Sequence, residues 1–378
     1  MGKRGNGEGS ISRRKDGLYM ARYTVQTADG PKRRTIYGKK GESREDVAAK
    51  LTKAMADRDG GVTYDAKKLT VEEHLRGWLS DSVRDTVRQR TYERYESIVR
   101  VHLTPAIGRI KLKMLTPAHV RRLYRAKLDA GLSPQSVLHI HRTLSKALRQ
   151  ATDDGLIPRN VAGLVKPPRP HGEKIRPLGR EQVHVLFEAA SASGDRLEAL
   201  YVVAVTTGMR RGELQGLKWD DLELEAGKLQ VRRTLSEPKG GWIFEAPKSG
   251  KGRSIRLTRK AVSALREHRK RQLEQRMQHA GFWRDHGLVF PSAIGTPISG
   301  GNLNRSFKAI LKRADLPTVR FHDLRHTCAT LLLRQGVNPK YVQELLGHAD
   351  ISLTLNVYSH ILPDMGDTAA GAMDAALG

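Results

Sequence analysis

The sequence predicts a multidomain chain: a small N-terminal α+β module of three strands and a helix, a central all-α helical bundle, and a mainly-α C-terminal domain carrying a small antiparallel sheet. Three observations predict it. Up to about residue 40 the apolar residues alternate, and from about Glu45 onward most of them recur at helical spacing. From Thr70 to Asp153 helix start and stop signals follow one another closely. Then Pro167-Pro168-Arg169-Pro170, with Gly172 and Pro177 around it, breaks any helix and reads as an extended linker. The expected boundaries are 1–68, 69–166, a linker at 167–177, and 178–378, and a chain of 378 residues has room for them.

Charge points to the partner. Lys and Arg number 67 against 40 Asp and Glu, a formal charge of +27. The excess is spread along the chain: residues 1–68 hold 17 basic and 9 acidic groups, 69–172 hold 19 and 9, and 173–378 hold 31 and 22. Each cation placed on a phosphate releases counterions, so the expected partner is a nucleic acid met along most of the length. A membrane is the competing polyanion, but no apolar run of spanning length is present. The one cysteine, Cys328, leaves no internal disulfide and fits a reducing cytosol, and no Cys/His cluster has zinc spacing.

Taken in order, the first strands lie around Ile11, over 18–27 with Tyr19, Ala21, Tyr23 and Val25 on one face, and over 33–37, with Asp29-Gly30 as the turn. The helix from about Glu45 turns Val47, Leu51, Ala54 and Met55 inward. Thr70-Val-Glu-Glu73 is a capping box. It opens four helices, at about 71–80, 89–102, 117–130 and 134–153, with Pro105 as one of their stops. In the last, Arg142, Lys146 and Arg149 form a basic stripe opposite Val137, Ile140, Leu144, Ala147 and Ala151. Beyond the linker, helices are expected at 180–190 and 197–205, then strands at 228–233, 242–246 and 254–257. The segment Pro247-Lys-Ser-Gly-Lys-Gly-Arg253 reads as a glycine-rich hairpin between the last two. A basic helix at 259–279 has Val262, Leu265 and Leu273 inward, and another runs over 302–314. The last helical pair brings His322 and Arg325 to one face, then turns Tyr341, Val342, Leu345 and Leu346 inward before stopping at Gly347. A short helix is expected in the alanine-rich tail, 362–378.

A lone histidine on a half-buried helix is ordinarily a core residue. The combination is less ordinary: His322-Asp-Leu-Arg325-His, Leu346-Gly-His348, and Tyr358 in Asn-Val-Tyr-Ser-His resemble the tyrosine recombinases, also called the phage integrase family. Thr206-Thr-Gly-Met-Arg-Arg-Gly-Glu-Leu214 resembles the first box of that family, which places its first catalytic arginine at Arg210, with Arg211 the alternative register. Glu213 matches the acidic position, expected to brace the site by a salt bridge. Lys248 matches the catalytic lysine of the mobile hairpin, with Lys251 the alternative.

The resemblance implies a reaction. Two arginine forks would stabilise the charge that builds on a pentacoordinate phosphorus. His348 and His322 would add hydrogen bonds, His322 also as general base, while Tyr358 attacks and Lys248 protonates the departing 5′ oxygen. The covalent 3′-phosphotyrosine retains the bond energy, so neither cofactor nor metal is expected. Also implied are double-stranded attachment sites, a homo-tetramer passing through a Holliday junction, and work in a bacterial cytoplasm at the nucleoid. A host DNA-bending protein and an excisionase are further expected partners. The front module resembles arm-site-binding domains, with Lys32, Arg33 and Arg34 as DNA contacts, and the central bundle resembles a core-binding domain that closes over DNA with Arg142, Lys146 and Arg149. Two alternatives stay open: a type IB topoisomerase with the same chemistry, and a non-catalytic DNA-binding regulator.

Overall fold

The computed structural model describes residues 9–27, 30–59, 68–170, 176–247, 250, 252–347, 350 and 365–378. Asp29, Lys248, Lys251, His348 and Tyr358 lie outside the described residues. The chain divides into two compact units, 1–172 and 173–378.

The first unit contains two separate hydrophobic cores. In the smaller, strands β1 (Ser10–Arg13), β2 (Tyr19–Thr27) and β3 (Gly30–Tyr37) form an antiparallel sheet in that order, with Ser10 opposite Arg22 and Tyr23 opposite Arg34. The alternation places Ala21, Tyr23 and Val25 on Val47 and Leu51 of α1 (Arg44–Asp59). Gly38 lets the helix lie this close, because a Cβ there would sit 2.9 Å from both Tyr19 O and Val47 Cγ2. Lys32, Arg33 and Arg34 are exposed on β3.

The larger core belongs to the helices. Thr70 opens α2 (Val71–Gly77) with the expected capping box: its hydroxyl accepts from the Glu73 N–H at 3.2 Å, and its own N–H donates to the Glu73 carboxylate at 2.8 Å. A π-helical turn, Trp78–Val83, extends this helix, and a second, Val99–Leu103, follows α3 (Gln89–Ile98). Pro105 is not the stop the sequence suggests. It stands just inside α4 (Thr104–Ile107), which continues the same helical run, and the widened turn before it accommodates the proline, with Thr104 N–H bonded to Val99 O. Then come α5 (Pro117–Asp129) and α6 (Pro134–Asp153). The five apolar residues of α6 named above are buried, while Arg142, Lys146 and Arg149 are exposed. Lys146 Nζ stands 5.4 Å over the Tyr95 ring.

In the second unit, α7 (Arg180–Ala192), α8 (Glu198–Thr207) and the one-turn α9 (Arg211–Gln215) precede five short strands. These are β4 (Leu222–Glu223), β5 (Lys228–Val231), β6 (Thr234–Ser236), β7 (Ile243–Glu245) and β8 (Arg253–Arg256). The strands flanking the expected glycine-rich hairpin do not pair with each other: β7 pairs with β6, and β8 pairs with β5. The chain therefore runs out along β5 and β6, turns at 237–242, and returns along β7 and β8. The helices α10 (Arg259–Gln278), α11 (Gly300–Arg313), α12 (Asp323–Arg334), α13 (Pro339–Leu346) and α14 (Met365–Leu377) complete the unit. Two side chains expected inside are outside, Leu273 at 52% exposure and Tyr341 at 69%. In α10 the inward line is Ala261, Leu265 and His268, and in α13 it is Val342 and Leu346, so each misplaced residue falls about a quarter turn off the buried stripe. No helix among the described residues is long and apolar enough to cross a membrane.

His268 is a buried histidine with a structural duty: its ring lies between Trp219 and Phe290, and its Nε2 bonds Val289 O at 2.6 Å. Burial pushes its pKa from 6.5 down to about 4. The unfolded chain takes up this proton first, so the stabilisation is complete above about pH 6.5 and fades as pH falls toward 4. Denaturant unfolding at stepped pH is expected to show this decline, and His268→Gln should make it shallower than in the wild type.

Candidate active site

The site is built on two left-handed glycines. Gly208 ends α8 at φ 61°, ψ 21°, and a Cβ there would run into Leu346 Cδ2 and stand 3.3 Å from Cys328 Sγ. Gly347 ends α13 at φ 65°, ψ 46°. Both turns expose a carbonyl, and each carbonyl holds one arginine. Arg325, buried at 4% exposure in the first turn of α12, donates from Nη1 to Gly208 O at 2.8 Å. Arg210 donates from Nη2 to Gly347 O at 2.9 Å. Because the Gly208 turn packs on Leu346, next to Gly347, the two arginines are brought to one locality although they are far apart in sequence. The guanidinium of Arg211 lies elsewhere, packed against Gly300 at the start of α11.

Glu213 fixes the first arginine. It is 1% exposed and receives the Arg210 N–H at 2.9 Å and Arg210 Nη1 at 3.0 Å. The sequence did not announce the third partner, Arg253, which gives Glu213 two more bonds at 3.1 and 2.8 Å and donates from Nε to Leu345 O at 2.8 Å. Burial alone would raise the Glu213 pKa, but the hydrogen bonds and charges of Arg253 and Arg210 outweigh it and hold the carboxyl below its usual 4.5. One signal could have found Arg253: it shares a strand face with buried Ile255, and an inward arginine on such a face needs an internal partner.

His322 stands just before α12 with its ring edge-on to His326 at 5.5 Å. Its outer edge is exposed, yet loss of water on the packed side, followed by the positive fields of His326 and Arg325, pushes its pKa from 6.5 to about 4. The shift favours the neutral imidazole and makes it a weaker base than a free one. Asp323 is bound by Arg320, at 2.9 Å. Cys328 is inert, its thiol raised by burial to about 12. Among the described residues no group of three or more His, Cys, Asp or Glu could hold a metal ion.

Known proteins share this arrangement of elements. The family model described as the Phage integrase family matches residues 176–364, and that of the phage integrase N-terminal SAM-like domain matches 70–128. A tyrosine recombinase XerC-like protein of Caldanaerobacter subterraneus subsp. tengcongensis is 30% identical over 362 residues, covering 90% of this chain and 91% of its own. An integrase of Streptomyces ambofaciens is 30% identical, covering 88% and 87%. Among solved structures, the Tn1549 transposon integrase in complex with a circular intermediate DNA is similar at TM-score 0.69 and 22% identity, over 81% of this chain and 99% of that one. A lambda integrase dimer on a core site is similar at 0.59 and 22%, over 94% and 96%. The chain belongs to the phage integrase family. It is a site-specific tyrosine recombinase, an enzyme that breaks and rejoins DNA.

Gly208 offers a test of how tightly the site is packed. Gly194 has a similar φ of 58° with open space around it, so alanine there meets only the left-handed strain, about 1–2 kcal/mol. Gly208→Ala adds a collision with Leu346 and is expected to cost about 1–3 kcal/mol more. Thermal unfolding of the two variants side by side measures the difference.

Proposed function

We propose that this recombinase is the integrase of a phage or integrative element, cutting each strand through a covalent 3′-phosphotyrosine. The observation that carries the reading is that Arg210 bonds Gly347 O, one residue before His348 in the chain, while Arg325 bonds the carbonyl of Gly208, whose turn packs on Leu346 beside Gly347. Two planar cations at one place suit the two non-bridging oxygens of a phosphate. The Tyr358 oxygen attacks phosphorus, His322 accepts the phenol proton, Lys248 protonates the 5′ oxygen as its bond to phosphorus breaks, and His348 donates a hydrogen bond to the phosphate. No net proton or electron is consumed, and a 5′ hydroxyl from another strand reverses the step.

The relatives extend the reading to assembly. A lambda integrase tetramer has been solved on a Holliday junction, and its fold is similar to this chain at TM-score 0.58. The present chain is accordingly assigned a homo-tetramer on two double-stranded attachment sites, in a bacterial cytoplasm, with an excisionase and a host DNA-bending protein setting direction. The exposed stripe Arg142, Lys146 and Arg149 is assigned to the core site, and Lys32, Arg33 and Arg34 to arm sites. Domain limits of 1–68, 69–166 and 178–378 follow from these roles.

A nicked suicide substrate tests the chemistry. Wild-type protein should accumulate a covalent DNA adduct, and Tyr358→Phe should form none while keeping its affinity for the same DNA; a wild type that binds without adduct leaves only a DNA-binding protein. Efficient relaxation of a supercoiled plasmid lacking attachment sites would point instead to a topoisomerase. Deleting residues 1–68 should impair integration and spare cleavage of isolated core sites. Equal loss of both would count against separate arm binding.

A further inference from the structure

We infer that Arg253 is a positioning residue for DNA cleavage, holding Arg210 through their shared Glu213 carboxylate and fixing the turn at Leu345–Gly347 from which the chain continues to His348. The inference rests on the assignment of Arg210 to the scissile phosphate and extends it to Arg253, the last residue of the glycine-rich Pro247–Arg253 segment, to which no role was given above.

The contacts close into a ring. Arg253 grips both oxygens of Glu213; Glu213 holds Arg210 at its backbone N–H and at Nη1; Arg210 reaches Gly347 O; and the same turn returns to Arg253 through Leu345 O. Each link joins a different element: β8, α9 and the end of α13. The fit leaves no slack. Arg253 is 11% exposed, and a Cβ at Gly347 would stand 3.1 Å from its Nη1, so the glycine also makes room for the guanidinium.

Only arginine closes this ring. Its fork matches the carboxylate while Nε points to a third acceptor, whereas lysine offers one nitrogen that cannot reach all three. Without the fork, both Glu213 oxygens would compete for Arg210 and draw its guanidinium away from Gly347 O. An arginine displaced by an ångström stabilises developing charge poorly while still attracting DNA. The defect should therefore appear in the rate of bond breaking and not in binding.

The test uses full-length protein with Arg253→Gln and Arg253→Lys, on saturating nicked suicide substrate in single turnover. Adduct formation should slow by about 10–100-fold in Arg253→Gln, with DNA affinity within about twofold of wild type. Arg253→Lys should recover only part of the rate. Glu213→Gln combined with Arg253→Gln should be no slower than the worse single variant, because both cut one linkage. A methylphosphonate at the scissile position removes the charge that Arg210 serves, and there the wild-type advantage over Arg253→Gln should shrink. A purely structural defect would persist on that substrate and would follow the folded fraction in a melting curve; either result overturns the inference. Wild-type cleavage with Arg253→Gln equally fast overturns it alone, whereas no wild-type adduct at all overturns the recombinase chemistry and this inference together.

Discussion

The C-terminal unit depends on one buried carboxylate. At 1% exposure Glu213 would be costly unless its charge were matched and its lone pairs filled, and the guanidiniums of Arg210 and Arg253 do both. Removing either partner from a buried ion cluster costs about 3–5 kcal/mol, because the other charges are left behind. Such a cluster adds little to stability relative to an apolar plug of the same shape. It does impose one geometry on three segments that the hydrophobic core alone would hold less exactly in angle.

Around that anchor, the glycines are a consequence of crowding. Gly208 must be left-handed to end α8 and must lack a side chain to admit Leu346, two independent demands at one position. The Arg325 bond to the Gly208 carbonyl needs this turn, and so does the approach of α13 to α8. Arg210 and Arg325 are thus each tied to a backbone carbonyl, which cannot change rotamer, and Arg210 to the Glu213 carboxylate as well.

What could be read beforehand was local. Alternation gave the inner face Ala21, Tyr23 and Val25, capping chemistry gave Thr70 with Glu73, and helical spacing gave the core face of α6. The salt bridge between Glu213 and Arg210 was legible because the two lie three residues apart in a segment that resembles one family motif. Arg253 was not, since its partners are 40 and 92 residues away and nothing in a six-residue window declares them. Strand β6 and helix α9 were too short, at three and five residues, to register a period. Leu273 and Tyr341 were misplaced because apolar character was taken as burial, while polar His268 and Gln343 occupy interior positions by bonding or by packing.

The β-ribbon shows why glycine density misled. Gly240, Gly241, Gly250 and Gly252 make two candidate turns, and only long-range pairing decides that the first reverses the chain. The second departs between two ladders whose ends are pinned, Glu245 opposite Thr234 and Arg253 opposite Val231. Each ladder therefore keeps its register through its own cross-strand pairs, and a slip in one would not drag the other with it.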